Sequence, residues 1–125
     1  MNALLSIGSN FGHRMENVEA ALEFISGIAQ IKQKSAIYES PDCLGMGRKY
    51  MNAVVEISTV LKEEELNTLL KSFESERGRD KDARERGEVS IDIDIVTWGK
   101  NIRRQADFTA HYFRIGLDSF SHKIF

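Results

Sequence analysis

The sequence predicts an α+β domain with ferredoxin-like βαββαβ order, an open sandwich in which a four-stranded antiparallel sheet carries two helices on one face. Three observations predict it. The length of 125 residues suits one domain with one core, and no linker divides residues 1–125. Apolar residues recur at helical spacing in two segments. The remaining segments are apolar, β-branched or alternating, as strands are.

The first strand is predicted over residues 2–8, a short apolar run that ends in the turn-forming segment 8–12. A helix is predicted over residues 13–28, because apolar side chains recur there every three or four residues. These side chains are Met15, Val18, Leu22 and Ile25.

Two antiparallel strands are predicted next, over residues 31–39 and 50–59, where polar and apolar residues alternate. The loop between them, 40–49, contains the only proline of the chain, Pro41. Loops of this length are more often functional than tight turns are.

A second helix is predicted over residues 62–77, with three glutamates in its first turn, where the helix dipole favours negative charge. Its apolar stripe consists of Leu66, Leu69, Leu70 and Phe73. A charged loop, 78–88, and a last alternating strand, 89–98, follow.

Alternation along a strand assigns its side chains to the two faces of the sheet. One apolar set must pack under the helices: Met51, Ala53, Val55, Ile57, Ile91, Ile93 and Ile95. The opposite face, which we expect to be uncovered, receives Tyr50, Asn52, Asp92 and Asp94. One aromatic ring, one amide and two carboxylates are an unusual set for a solvated sheet face.

The aspartate pair is the candidate metal site. Asp92 and Asp94 leave the same face of one strand, roughly 6.5–7 Å apart at the backbone. Their mutual repulsion is relieved if a divalent cation lies between them, and Mg²⁺ suits carboxylates that share it with substrate phosphates. The alternative is that both acids are simply solvated.

The loop after the second helix is rich in cations, namely Arg77, Arg79, Lys81, Arg84 and Arg86. Because it leads into the aspartate pair, it could help to bind a polyphosphate. Residues 76–88 also contain five acids, so the alternative is a self-paired surface loop. The chain has no P-loop sequence.

Composition excludes several classes of protein. A single cysteine, Cys43, cannot form an intrachain disulfide or a thiolate metal site alone. No apolar run reaches the roughly 20 residues that span a bilayer, and residues 1–8 resemble a strand more than a secretory signal. We therefore expect a cytoplasmic protein without a membrane partner. A net charge of −2 argues against a nucleic-acid partner.

Five short segments, in this order along the chain, carry a resemblance to a known family. They are Ser6-Ile7-Gly8-Ser9-Asn10, Tyr38-Glu39-Ser40-Pro41, Tyr50-Met51-Asn52-Ala53-Val54, Glu74-x-x-x-Gly78-Arg79 and Ile91-Asp92-Ile93-Asp94-Ile95. Together they resemble the 6-hydroxymethyl-7,8-dihydropterin pyrophosphokinases of folate synthesis. The resemblance implies the same fold. It also implies Mg²⁺-dependent transfer of the pyrophosphoryl group of ATP to the pterin hydroxymethyl group, with release of AMP.

The resemblance also implies roles for particular residues. Asp92 and Asp94 would hold two Mg²⁺ ions and, with Arg79, form the catalytic set. The pterin pocket would be formed by Ser40, Pro41, Tyr50 and Asn52. The nucleotide would be bound by Arg79, Lys81, Arg84, Arg86, His111 and Tyr112. For His111, a structural role is an equal alternative.

Two departures from the family pattern bear on activity. Val89 stands where the family has an arginine that clamps the phosphates, and Arg84 or Arg86 is the candidate substitute. The part after Trp98, about residues 100–125, is expected to be abbreviated, with Arg114 and either Phe113 or Phe120 as candidates for the C-terminal arginine and aromatic. A catalytically weakened paralogue that binds nucleotide or pterin is therefore an alternative. An RNA-binding module is disfavoured by the acidic pair and the net charge.

Overall fold

A computed structural model describes residues 1–41, 47–78 and 80–122, which form strands and helices joined by loops. The strands are β1 (Asn2–Ser9), β2 (Gln30–Lys34), β3 (Tyr38–Ser40), β4 (Tyr50–Ser58), β5 (Asp92–Trp98) and β6 (Asn101–Ile102). The helices are α1 (Arg14–Ile28), α2 (Glu63–Glu76), α3 (Lys81–Glu85), α4 (Gln105–Thr109) and α5 (His111–Asp118). The prediction of an α+β fold is confirmed.

The strands form one antiparallel sheet in the order β2-β4-β1-β5-β6, and β3 also pairs with β4. The predicted four strands are therefore wrong, because the sheet has six. One cause lies at Ser35, whose N–H donates to the carbonyl of Val54 while its hydroxyl accepts from the N–H of Val54, each at 2.9 Å. A side chain thus replaces the backbone there and divides the predicted strand 31–39 into β2 and β3.

The second cause is the turn after β5. Gly99 adopts a φ of +62°, which favours glycine, and the chain folds back so that β6 pairs with Thr97 and Trp98. This pairing covers only the end of β5. Within the described residues, the part of β5 near Asp92 and Asp94 has no strand neighbour on the side away from β1.

Helices α1 and α2 pack on one face of the sheet, as the alternation predicts. The buried cluster between them includes Val18, Ala21, Leu22, Ile25, Leu66, Leu70 and Phe73 from the helices, and Ala53, Val55, Ile57, Ile91, Ile93 and Ile95 from β4, β5 and the residue before β5. Met15 and Leu69, predicted to join this stripe, are partly exposed instead. The assignment of the two sheet faces is confirmed.

The opposite face is not uncovered, which corrects the prediction. Helix α5 packs on one half of this face, the far half, and contributes to a second buried cluster. The cluster consists of Leu4, Val54, Val96, Phe113, Leu117 and Phe120. The near half keeps its polar side chains. The border between the apolar and polar halves, where α4 and α5 meet the sheet, is where the candidate site lies.

The charged loop 78–88 contains the short helix α3, and β5 begins at Asp92 instead of residue 89. The segment before β5 is fixed to the end of β1 by Asn10. The side-chain amide of Asn10 donates to the carbonyl of Gly87 at 2.9 Å and its oxygen accepts from the N–H of Val89 at 2.6 Å. In the described part of the chain, none of the helices is long and apolar enough to cross a membrane.

Candidate active site

A cavity of about 210 Å³ opens on the polar half of the second sheet face. It is lined by Ser6, Gly8, Ser40, Tyr50, Asn52, Asp92, Asp94, Arg104, Asp107 and Tyr112. The four residues assigned to this face from strand alternation all belong to the lining. Ser6, Gly8, Arg104 and Asp107 were missed as site residues.

Sheet register explains how residues far apart in sequence meet here. Gly8 pairs with Asn52 on one side and with Asp92 on the other, so these three residues form a row across β4, β1 and β5. A Cβ atom at Gly8 would lie 3.3 Å from Cδ2 of Tyr50 and 3.5 Å from Oδ1 of Asn52. Gly8 therefore lets the Tyr50 ring lie close over the sheet and keeps the floor of the cavity open.

The pKa values of the two aspartates are shifted in opposite directions. Burial, and then the charge of Asp94, raise the pKa of Asp92 to about 7. Burial also acts to raise the pKa of Asp94, but the hydrogen bond with Asp92 and the charge of Lys71 bring that pKa below its ordinary value. Asp94 is thus the ionised partner near neutral pH, and Asp92 carries the proton below about pH 7.

Lys71 of α2 reaches around the open edge of β5 to the aspartates, a contact that the sequence analysis missed. Its Nζ lies 3.0 Å from Oδ1 of Asp94 and 3.8 Å from Oδ1 of Asp92. It also donates to Oε2 of Glu74 at 2.8 Å. Burial lowers the pKa of Lys71, but the hydrogen bond to Glu74 and the charges of Asp94 and Asp92 raise it above its ordinary value. The ammonium therefore stays charged.

The other wall of the cavity holds an ordered amide. The side-chain N–H₂ of Asn52 donates to the hydroxyl of Ser40 at 2.6 Å and to the carbonyl of Tyr38 at 3.4 Å. Ser40 and Asn52 are only 3% and 4% exposed. Because both N–H groups face acceptors, Oδ1 of Asn52 is the atom presented to a ligand.

Comparison with known proteins bears on this arrangement. The sequence profile of the family described as 7,8-dihydro-6-hydroxymethylpterin-pyrophosphokinase matches residues 4–118. The chain belongs to this family.

Relatives of the chain include a pyrophosphokinase and bifunctional proteins of folate synthesis. The 2-amino-4-hydroxy-6-hydroxymethyldihydropteridine pyrophosphokinase of Haemophilus influenzae is 30% identical over 116 residues, which are 90% of this chain and 72% of that protein. The folate synthesis bifunctional protein of Arabidopsis thaliana is 34% identical over 101 residues, 78% of this chain. A mitochondrial bifunctional protein of Pisum sativum is 33% identical over 115 residues, 90% of this chain. The chain spans only 21% and 22% of these two plant proteins.

Not every residue that the family resemblance assigned to substrate lies at the cavity. Pro41 is exposed and is not part of the lining. Two residues near the C-terminus, His111 and Tyr112, were assigned to the nucleotide. Tyr112 lines the cavity, while His111 is exposed at the start of α5. The hydroxyl of Tyr112 donates to Asp107, which also pairs with Arg104.

The loop cations that the structure describes do not line the cavity. Lys81, Arg84 and Arg86 are exposed on and after α3, and none contributes to the lining. Arg86 pairs with Glu88 at 2.9 Å, which fits the self-paired alternative. Arg79, assigned to both catalysis and nucleotide binding, lies outside the described residues, as do Cys43 and the rest of residues 42–46.

The position for which the resemblance implies a phosphate-clamping arginine, Val89, is closed here. Val89 is 6% exposed, and its backbone is held by Asn10. Among the described residues, the cationic side chain in the cavity wall is Arg104, whose guanidinium lies 3.9 Å from Oδ2 of Asp94. No feature of the sequence pattern distinguished Arg104 from the neighbouring Arg103, which pairs with Glu63 at 2.9 Å.

Of the C-terminal candidates, Phe113 and Phe120 are core residues under α5 and do not line the cavity. Arg114 lies over the ring of Phe108 at 5.0 Å and pairs with Asp118 at 3.6 Å. The aromatic ring that α5 contributes to the cavity is Tyr112.

The hydroxyl of Tyr38, a half-buried residue, fixes Tyr112. It donates to the carbonyl of Tyr112 and accepts from the N–H of Gly116 at 3.2 Å. Burial raises the pKa of Tyr38 to about 12, although the hydrogen bond from Gly116 acts to lower it. The hydroxyl thus remains protonated as a donor, and β3 and α5 are held together beside the cavity.

The carboxylate pair fits a magnesium ion. Hard oxygen donors from two aspartates, beside a cavity with room for phosphate oxygens and water, match the preference of Mg²⁺. Among residues 1–41, 47–78 and 80–122, no group of three or more His, Cys, Asp or Glu side chains is placed to hold a metal. The remaining ligands would then come from substrate and water, which Mg²⁺ accepts more readily than Zn²⁺ does.

Proposed function

We propose that this chain transfers the pyrophosphoryl group of ATP to the hydroxymethyl group of 6-hydroxymethyl-7,8-dihydropterin and releases AMP, a step of folate synthesis. The observation that carries the proposal is one cavity with two chemically different walls. One wall has paired carboxylates, and the other has an ordered amide and an aromatic ring. Membership of the pyrophosphokinase family supports it.

The pterin side of the cavity recognises a flat, hydrogen-bonding ring. Tyr50 offers a face for stacking, and Oδ1 of Asn52 accepts a hydrogen bond from the pterin edge. Ser40 holds the Asn52 amide in the orientation that this needs. An acceptor fixed in advance loses little entropy when the ligand binds, and the hydroxymethyl group is thereby directed toward β5.

Asp92 and Asp94 would hold the Mg²⁺ ions, two by the family resemblance, with no further protein ligand from the described residues. Bound there, Mg²⁺ would neutralise the triphosphate and favour loss of the proton from the attacking hydroxyl. In the reaction, the hydroxymethyl oxygen bonds to the β-phosphorus. The bond from that phosphorus to the oxygen of AMP breaks, and the hydroxyl proton is released. Arg104 and Tyr112 lie where they can contact phosphate oxygens beside the aspartates.

Chromatographic measurement of AMP tests the proposal. The protein should release AMP from ATP only when both Mg²⁺ and the hydroxymethyldihydropterin are present. Asp92→Asn and Asp94→Asn should each lower the rate by at least about a hundredfold. The matched control is Asp82→Asn, an exposed aspartate of α3, which should keep the wild-type rate. No AMP above background at high protein concentration would refute the proposal.

A second function is favoured by two observations: Val89 is buried, and the cations of α3 do not line the cavity. A family member without its phosphate clamp could bind ATP or pterin with little turnover. Isothermal titration calorimetry separates the two functions. Binding of both ligands without AMP release would support a binding or regulatory domain, and binding of neither would exclude it.

A further inference from the structure

The ammonium of Lys71 is fixed, unlike that of an ordinary surface lysine. Its Nζ donates to the carbonyl of Ile93 at 2.9 Å, to Glu74 at 2.8 Å and to Oδ1 of Asp94 at 3.0 Å. An ammonium has three N–H donors, so these contacts use all of them. The lysine is therefore held in one place by the edge of β5.

Glu74 explains why the lysine stays there. The carboxylate of Glu74 is 3% exposed and accepts a hydrogen bond from the N–H of Ile93 at 2.8 Å. A buried carboxylate of this kind requires a cation close by, and Lys71, one turn earlier in α2, is that cation. The pair from α2 thus occupies both the N–H and the carbonyl of Ile93, on the edge of β5 that lies between the two aspartates.

This location places the positive charge of Lys71 beside the carboxylates of the candidate metal site. Nζ of Lys71 lies at hydrogen-bonding distance from Oδ1 of Asp94, and it is 3.8 Å from Oδ1 of Asp92. The guanidinium of Arg104 is farther from Asp94, at 3.9 Å, and is also paired with Asp107. Lys71 is therefore the cation that contacts the pair most closely among the described residues.

We propose that Lys71 is a built-in counter-ion of the Asp92–Asp94 pair that competes with divalent cations for Asp94 and so weakens metal binding to the free protein. A metal ion that takes Oδ1 of Asp94 must displace the ammonium or lie close beside it. Both cost free energy, by lost hydrogen bonds in the first case and by like-charge repulsion in the second. This inference rests on the proposed function only in treating the aspartate pair as a metal site.

The competition has a structural benefit for the metal-free protein. Two carboxylates that face each other without a cation repel, and the fixed ammonium reduces that repulsion. Lys71 therefore lets the fold keep both acids together before the metal arrives. Stability without metal and affinity for metal are therefore opposed. Removing the charge of Lys71 should lower the first and raise the second.

Binding of Mn²⁺, followed by the electron paramagnetic resonance signal of the free ion, tests the competition without any turnover. The full chain is treated with EDTA, dialysed and titrated at pH 8 without nucleotide. Lys71→Gln should bind Mn²⁺ about tenfold more tightly or better, because the competing charge is gone. Lys71→Arg keeps a cation and should bind about as weakly as wild type.

Lys32→Gln is the matched control, since it removes the same charge from β2, a strand at the opposite edge of the sheet. It should leave the Mn²⁺ affinity unchanged. Equal affinity in wild type and Lys71→Gln would overturn the inference. So would weaker binding by Lys71→Gln, since that result would mean that the lysine only positions the carboxylates.

A second measurement serves if Lys71→Gln does not fold. In ¹H–¹⁵N spectra of the wild-type lysine ammonium groups, Mg²⁺ should shift or remove the Lys71 signal and leave the Lys32 signal in place. An unmoved Lys71 signal at saturating Mg²⁺ would overturn the inference. Failure of the proposed function is recognised separately. In that case the wild-type protein releases no AMP, but Lys71→Gln still binds Mn²⁺ more tightly than wild type.

Discussion

The carboxylate of Glu74 in α2 accepts a hydrogen bond at 2.8 Å from the backbone N–H of Ile93 in β5. A helix side chain thereby takes the place of a missing neighbouring strand, next to the two aspartates of the candidate site. An open strand edge is a common site of aggregation, and a charged side chain over it prevents further pairing. The contact also fixes the distance between α2 and the strand that carries the carboxylates.

Glu74→Ala should destabilise the protein by about 2–4 kcal/mol, because it leaves a buried N–H without an acceptor and Lys71 without its closest partner. Glu74→Gln should cost less, since its carbonyl oxygen can still accept from Ile93. Urea denaturation measures both. Glu76→Ala, two residues along the same helix and exposed, should change the free energy of unfolding by less than about 0.5 kcal/mol. A loss below about 1 kcal/mol in Glu74→Ala would contradict this account of the edge.

Sequence periodicity was sufficient for the site residues on β4 and β5, although it did not single out Ser6 and Gly8 on β1. Asp92 and Asp94, and likewise Tyr50 and Asn52, could be placed on one face because strand side chains alternate whatever the tertiary context. Lys71 could not be placed. It lies more than twenty residues before the aspartates, and its contact depends on how α2 docks over the edge of β5, which local patterns do not encode.

The sequence contains a pattern typical of helix α5, which covers the second face of the sheet. Phe113, Leu117 and Phe120 recur at spacings of four and three, the spacing of an amphipathic helix, and all three are buried. The split between β2 and β3 left no such signal. It depends on the Ser35 hydroxyl pairing with Val54, a residue nineteen positions away.

Asp92→Asn should stabilise the metal-free protein at pH 8. Folding raises the pKa of Asp92 from 3.8 to about 7, so the folded state binds this proton more tightly than the unfolded state. The Asp92 carboxyl therefore destabilises the folded state when it is ionised. This destabilisation is absent below about pH 4, grows as the pH rises from 4 to 7 and is complete above 7. Since the carboxyl is partly open to solvent, we expect a gain of about 1–2 kcal/mol at pH 8 and none at pH 4. Thermal melting in EDTA at both pH values measures this, and a gain of equal size at pH 4 would contradict it.

Gly116→Ala should push α5 away from the sheet. A Cβ atom there would lie 2.5 Å from Cγ2 of Val54 and 2.8 Å from the hydroxyl oxygen of Tyr38. Overpacking of this kind costs about 1–3 kcal/mol, and the displaced helix carries Tyr112 away from the cavity. Urea denaturation should show a lower free energy of unfolding, and the KM for pterin should rise.

The matched control for that substitution is Gly27→Ala in α1. Apart from the adjacent residues and the nearby backbone of its own helix, no atom lies within 4 Å of the position that its Cβ would take, and alanine is the better helix former. It should raise the free energy of unfolding by up to about 1 kcal/mol and leave the KM for pterin unchanged. Equal effects of the two substitutions would show that the close approach of Gly116 is unimportant.

Asn52→Ala should weaken pterin binding selectively. The substitution removes the acceptor Oδ1 and leaves the buried Ser40 hydroxyl without the N–H₂ that it accepts from at 2.6 Å. A loss of about 1–3 kcal/mol corresponds to an affinity roughly 5 to 150 times lower. Fluorescence titration with the pterin measures it, and titration with an ATP analogue should give the wild-type affinity, because Asn52 lies on the other wall from Asp94. Asn67→Ala, exposed on α2, should match wild type in both titrations. If Asn52→Ala weakened both ligands equally, the loss would reflect a general disturbance of the cavity, and the assignment of this wall to the pterin would be wrong.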